Sequence, residues 1–154
     1  MPRRAINSPD YNVPIEGFSQ IIVGKPGFTP LFVSGLTSRT ENGTIVGVGN
    51  FEAQARQVCE NLKNVLEAAG ATLEDVVQIR TYVRDITQWD VLESVWRGYF
   101  GDVWPASTLV QISRLYDERQ LIEMEAIALV DGEPIRGNGQ LTSRAIPTSE
   151  TAEA

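Results

Sequence analysis

A chain of 154 residues with 42 % hydrophobic and 21 % charged content has the make-up of one soluble domain with a single core. Its formal net charge of −7 at pH 7 opposes binding to a polyanion, because phosphate recognition rests on clustered Lys and Arg, so no nucleic-acid partner is expected. With no histidine and one cysteine, imidazole catalysis, histidine metal sites and an intrachain disulfide drop out; no run nears the roughly 20 apolar residues of a membrane span, and the opening MPRRAINSPD lacks the apolar core of a secretory signal, so a cytoplasmic protein is expected.

In chain order, Phe18 to Val23 and Leu31 to Ser34 are short runs rich in β-branched and aromatic residues. The Gly24-Lys25-Pro26-Gly27 turn signal between them predicts a hairpin. A second turn, Glu41-Asn42-Gly43-Thr44, follows. Apolar residues then recur at Phe51, Ala55, Val58, Leu62, Val65, Leu66 and Ala69, the spacing of one helical face, with Asn50 placed to cap its start and Gly70 to end it. Val76 to Val83 reads as a mostly buried strand. Thr87, with Asp90 three residues on, resembles a capping box for a second helix carrying Leu92, Val95, Trp96, Tyr99 and Phe100 on one side. That helix stops by Gly101 and Pro105, and the strands Thr108 to Ser113 and Leu121 to Val130 complete the pattern. Residues 1–132 read as a single domain, and the Pro-, Gly-, Ser- and Thr-rich residues 133–154 as a disordered tail.

The order ββ-α-β-α-ββ predicts an α+β domain, a sheet with two helices packed on one face. Alternation along Leu121 to Ala128 then points Ile122, Met124 and Ala126 one way and Glu123 and Glu125 the other. Two carboxylates in mid-strand do not belong unpaired in a sealed core, so they are expected to face a solvated cleft or a subunit interface. Read on their own they are more often structural carboxylates than catalytic ones. Cys59, beside Val58 and far from any basic cluster, reads as a packing thiol, and Trp96, Tyr99 and Phe100 read as core.

The stretch Pro105-Ala106-Ser107-Thr108-Leu109-Val110, followed by Ile122-Glu123-Met124-Glu125-Ala126-Ile127-Ala128, resembles the closing strand pair of the Rid family, the reactive intermediate deaminases also called YjgF-like proteins. The resemblance extends upstream through Leu31-Phe32-Val33-Ser34-Gly35, the helix with Gln54, Val58, Asn61, Leu62 and Leu66, Ala68-Ala69-Gly70, and Leu73-Glu74-Asp75-Val76-Val77, and so covers most of Phe18 to Val130. It implies a chorismate-mutase-like fold with a mixed sheet, assembled as a homotrimer around a central barrel, with ligand pockets between adjacent subunits; with no histidine in the chain, no cofactor or metal is expected. It further implies hydrolysis of an imine or enamine, with Glu123 matching the glutamate that positions the attacking water and Ser34-Gly35 matching a ligand-binding turn. Phe18 falls where the family often has tyrosine, Glu93 where an asparagine is common, and Ser107 where the family's arginine clamps a substrate carboxylate.

Ser107 is the departure that matters, because a hydroxyl can donate a hydrogen bond but has neither the charge nor the fork of a guanidinium. An α-imino acid is then expected to be poorly held. Arg80, sharing a strand face with Gln78 and Tyr82, is a possible replacement cation, against its commoner reading as a solvent or ion-pair residue; Arg114 and Arg119 read as surface charges. Three classes stay open: a small-molecule hydrolase of the imine/enamine deaminase type, which the retained Glu123 favours; a non-catalytic ligand-binding or regulatory trimer, which Ser107 favours; and an RNA-cleaving activity of the kind sometimes attached to the family, which the charge of −7 disfavours.

Overall fold

The alternating burial of one strand organises the molecule. In the computed structural model, which describes residues 3–6, 21–24 and 26–132, the elements are β1 (Arg3–Ile6), β2 (Ile21–Gly24), β3 (Phe28–Leu36), α1 (Phe51–Ala68), β4 (Val76–Val83), α2 (Trp89–Phe100), β5 (Ala106–Gln111) and β6 (Ile122–Asp131). Residues 133–154, read from the sequence as a tail, lie outside those described. β3, β6, β4 and β5 form a mixed four-stranded sheet in that order, with β6 antiparallel to both neighbours and β4 parallel to β5. This is the expected α+β arrangement.

On β6, Ile122, Met124, Ala126, Ala128 and Val130 are buried, while Glu123, Glu125, Ile127 and Leu129 between them are half-buried. The buried row joins Ile79 and Val83 of β4 and the apolar stripes of both helices in one core, so α1 and α2 cover one face of the sheet. Trp96 is its largest fully buried member, meeting Trp89, Phe100 and Trp104 edge-on at centroid distances of 5.8, 6.4 and 5.8 Å.

Local signals fared unevenly. The Asn50 side chain caps α1 by accepting from the Ala53 N–H at 3.0 Å, and beyond Ala68 the chain turns through Gly70 at φ 75° while the Ala71 N–H reaches back to Leu66 O. The expected hairpin is a correction: β2 pairs with β1, a strand the sequence did not announce, and β3 pairs with β6. The expected Thr87 capping box is another. Asp85 accepts from both the backbone N–H and the hydroxyl of Thr87, at 2.9 and 2.6 Å, and a single tight turn precedes α2, which begins at Trp89. Val65, placed by periodicity on the core face, is exposed.

The residue missing from that apolar stripe is Gln54, fully buried on α1. Its amide donates to Gly47 O at 3.2 Å and Arg119 O at 2.8 Å and accepts from the Leu121 N–H at 2.8 Å. It thus ties the helix to the loop after β3 and the loop before β6. Asn61, two turns on, donates to Thr37 O and Arg39 O, and the buried Gln120 donates to the Thr37 hydroxyl. Asp117 joins the second loop to the first through Arg39 at 3.5 Å and pairs within its own loop with Arg119 at 2.6 Å. Hydrogen bonds from Arg119 hold its carboxyl well below the usual carboxylate range, so its stabilising share is intact at neutral pH and lost only in strong acid.

Replacing Gln54 by Leu keeps the volume but leaves two backbone groups, Arg119 O and the Leu121 N–H, without that partner, while Gly47 O keeps the Asn50 N–H. At about 1 to 3 kcal/mol for each group, partly offset by relaxation, the loss in urea denaturation should be about 2 kcal/mol or more. A loss below about 1 kcal/mol would show that the loops hold themselves.

Candidate functional site

The helix-free face of the sheet carries the polar residues that the β6 alternation throws outward. Pairing fixes their neighbours: Glu125 lies opposite Arg80, Glu123 opposite Tyr82, and Ile127 opposite Gln78 on β4, while Phe32 of β3 lies opposite Ile127 from the other side. These side chains share one surface. Phe32 is 78 % exposed, an unusual state for an aromatic residue in mid-strand.

Glu123 and Glu125 have different surroundings although both are half-buried. Glu125 Oε1 accepts from Arg80 Nη1 at 2.7 Å. No hydrogen bond or ion pair to Glu123 is found among the described residues; its carboxylate instead lies directly over the Cα of Gly35. A Cβ on Gly35 would occupy the position of Glu123 Oε1, so the close approach requires glycine there. Gly35 sits in a register shift between Val33 and Leu36, where the β3–β6 ladder is interrupted and the backbone of Ser34 and Gly35 is freed from regular pairing. Next to this bulge Ser34, Gln78, Arg80, Glu125, Phe32 and Ile127 line a cavity of about 220 Å³. Past Gly35 an open groove of about 1040 Å³ runs between the residue 37–44 loop and α1, lined by Thr37, Arg39, Asn61 and Asn64 among others.

Of the residues singled out in the sequence, the chain therefore brings together Ser34, Gly35 and Glu123, with Arg80 and Glu125 alongside. Ser107 and Glu93 are placed elsewhere. Ser107 pairs with the buried Ile79 and shares its side of β5 with Leu109, which packs on the core, so it is on the helix-covered face. Glu93 is on α2, ion-paired to Arg97 one turn on at 2.7 Å. Within the chain the sheet stands between these two and Glu123. Phe18 lies outside the described residues. Cys59 is buried, and burial pushes its thiol up to about 12, which removes it as a nucleophile at neutral pH. Among the described residues no group of three or more Asp, Glu or Cys side chains is placed to hold a metal, and no helix is long and apolar enough to cross a membrane.

The Arg80–Glu125 pair and the exposed Phe32 are the parts of this surface that sequence reasoning did not assemble. Alternation had put Arg80 with Gln78 and Tyr82 and Glu125 with Glu123. What was lacking was the pairing of β4 with β6.

Comparison with known proteins gives consistent results. The family model described as endoribonuclease L-PSP matches residues 10–130. A RutC family protein of Pyrococcus abyssi is 42 % identical over 116 residues, covering 75 % of this chain and 87 % of that protein. The 3-aminoacrylate deaminase RutC of Acinetobacter baylyi is 35 % identical over 100 residues, covering 65 % of this chain and 79 % of that one. Among solved structures, YyfB of Yersinia pestis, of the Rid protein family, superimposes with a TM-score of 0.77 at 33 % identity, covering 84 % of this chain and all of its own (100 %).

Gly35→Ala provides a test of the site's geometry. The atoms a methyl group would meet are the far end of the Glu123 side chain, which can swing away, so stability should stay within about 1 kcal/mol of wild type while the Glu123 carboxyl resonance moves in a carbon-detected NMR spectrum. A loss of several kcal/mol with an unmoved resonance would mean that backbone, and not the carboxylate, fills that space.

Proposed function

The chain belongs to the YjgF/Rid family, and on that premise we propose that it is a deaminase of the Rid type, hydrolysing a reactive imine or enamine to a carbonyl compound and ammonia. The observation that carries this reading is Glu123, a half-buried carboxylate held over Gly35 with no bond to it among the described residues. A structural carboxylate in such a place normally satisfies a donor, as Glu125 does. One left without is available to a ligand or a water.

The chemistry asks little more. A protonated C=N is already electrophilic, so an oriented water and an acceptor for its proton suffice. Glu123 takes a proton from water as the oxygen bonds to the protonated imine carbon and then gives that proton to the nitrogen of the carbinolamine; the C–N bond breaks and ammonia leaves as the carbonyl forms, the hydroxyl proton passing to Glu123 and from there to solvent. For an enamine, proton transfer to the β-carbon first gives the imine. Ser34 and the bulged backbone beside it would supply hydrogen bonds that orient the substrate.

The same reading makes the protein a homotrimer with its pockets between copies. Two arguments support it: the helix-free face carries exposed Phe32 and Val110, which a neighbour would cover, and Ser107 and Glu93 can share a pocket with Glu123 only if a second copy contributes them. A non-catalytic ligand-binding trimer is the second reading, favoured by Ser107 standing where the family has arginine. RNA cleavage, the activity in the name of the matched family model, is disfavoured by the net charge of −7.

Two measurements test the proposal. Light scattering at micromolar concentration should give three times the mass of the 17.0 kDa chain; a stable monomer would remove the shared pocket. On any substrate found by ammonia release from freshly generated imines and enamines, Glu123→Gln should retain assembly and binding while losing a factor of roughly 100 to 10,000 in turnover. Turnover within a few-fold of wild type would make the carboxylate structural.

A further inference from the structure

Resting on that reading of the same surface, we infer that Arg80 forms an anion subsite for the carboxylate of a small substrate and that Glu125 is its internal competitor. The subsite lies on the opposite face of the sheet from Ser107, so it does not rebuild the family's arginine clamp. It offers a second position for one.

Four observations lead there. Among the described residues Arg80 is the only cation lining the 220 Å³ cavity, and its side chain is half-exposed. Its one bond among the described residues is end-on, Nη1 to Glu125 Oε1 at 2.7 Å, so most of the five N–H donors of the guanidinium fork have no described partner. The amide of Gln78 and the hydroxyl of Ser34 line the same cavity and can complete an oxyanion's hydrogen bonds, while Phe32 and Ile127 offer apolar surface to a short carbon chain. Finally, the register places Arg80 diagonally across from Glu123, Arg80 opposite Glu125 and Tyr82 opposite Glu123. Diagonal neighbours on one face of an antiparallel pair are roughly 7 to 8 Å apart at the backbone. A molecule of four to six heavy atoms with its carboxylate on Arg80 would therefore bring its C=N carbon near the Glu123 carboxylate.

Glu125 already shows that the fork accepts a carboxylate. An incoming substrate must displace it, because two carboxylates cannot share one guanidinium edge without repulsion. An exposed ion pair of this kind is weak, so displacement lowers affinity without abolishing it. The subsite then selects for a carboxylate while holding it loosely, in keeping with the poor retention expected from the loss of the arginine at position 107.

The test uses propanoate, which cannot be hydrolysed, titrated at constant ionic strength into the full chain by NMR, with propanamide as the uncharged control. Propanoate should bind and propanamide should not. Glu125→Gln should tighten propanoate a few-fold by freeing the guanidinium; Arg80→Gln should weaken it roughly 10- to 100-fold; Arg80→Lys, which retains the charge but not the fork, should fall between and guards against a misfolded glutamine variant. Propanoate affinity unchanged in Arg80→Gln, or weakened by Glu125→Gln, overturns the subsite. So does a Ser107→Arg variant that raises turnover of a 2-aminobutyrate-derived imine while Arg80→Gln leaves that turnover untouched. The deaminase reading is judged separately: Arg80-dependent binding of propanoate with no ammonia released from any imine or enamine would sink that reading and retain the subsite, whereas ammonia release indifferent to Arg80 would do the reverse.

Discussion

The ladder on both sides of β6 is the constraint from which the rest follows. Because side chains alternate with a period of two, its pairing with β3 and β4 decides at once which five residues enter the core and which carboxylates leave it. A slip of one residue would drive Glu123 and Glu125 under the helices and expose Ile122, Met124 and Ala126. Neither carboxylate could be accommodated there unpaired. The apolar row therefore fixes the register, and the register in turn sets Glu125 against Arg80 and Glu123 against Tyr82. The polar surface depends on the packing of the opposite face.

The second determinant is the polar joint between α1 and the two loops. Gln54, Asn61 and Gln120 satisfy backbone and hydroxyl groups where the chain leaves β3 and where it enters β6. This fastens the segment just beyond the Ser34-Gly35 bulge to a rigid helix. A bulge frees backbone for a ligand, but free backbone with nothing behind it would be mobile. Here the joint holds what the bulge releases.

Much of the architecture could be read in the sequence because it is local. Helical periodicity from Phe51, the Asn50 cap and the alternation from Ile122 each rest on residues close in the chain, and each has its counterpart in the fold. What could not be read is non-local. The Gly24 to Gly27 turn suits a hairpin, yet β3 finds β6 across nearly the whole domain, and no short-range signal competes with burial of that length of strand. Gln54 sits at a helical core position that a hydrophobic pattern passes over, since its partners are backbone groups 65 and 67 residues away. Ser107 and Glu123 belong to adjoining motifs of one family signature, and their placement on opposite faces appears only once β5 is known to run parallel to β4.

Glu123 and Glu125 together form an internal comparison. They share a strand, a face and a similar degree of burial, so solvation alone does not separate them. The difference is imposed from β4 and β3: one faces an arginine and is neutralised, the other faces a tyrosine and is pressed onto a glycine. Among the described residues no donor engages Glu123, and a half-buried carboxylate in that state is unfavourable, yet the backbone beside it is trimmed to Gly35 to admit it. The unfavourable placement is local, and the core beneath, dense with Ile122, Met124 and Trp96, can offset it. A carboxylate with no partner among the described residues, on a well-packed support, is the arrangement that supports the proposed reading, in which the partner is a substrate or its attacking water.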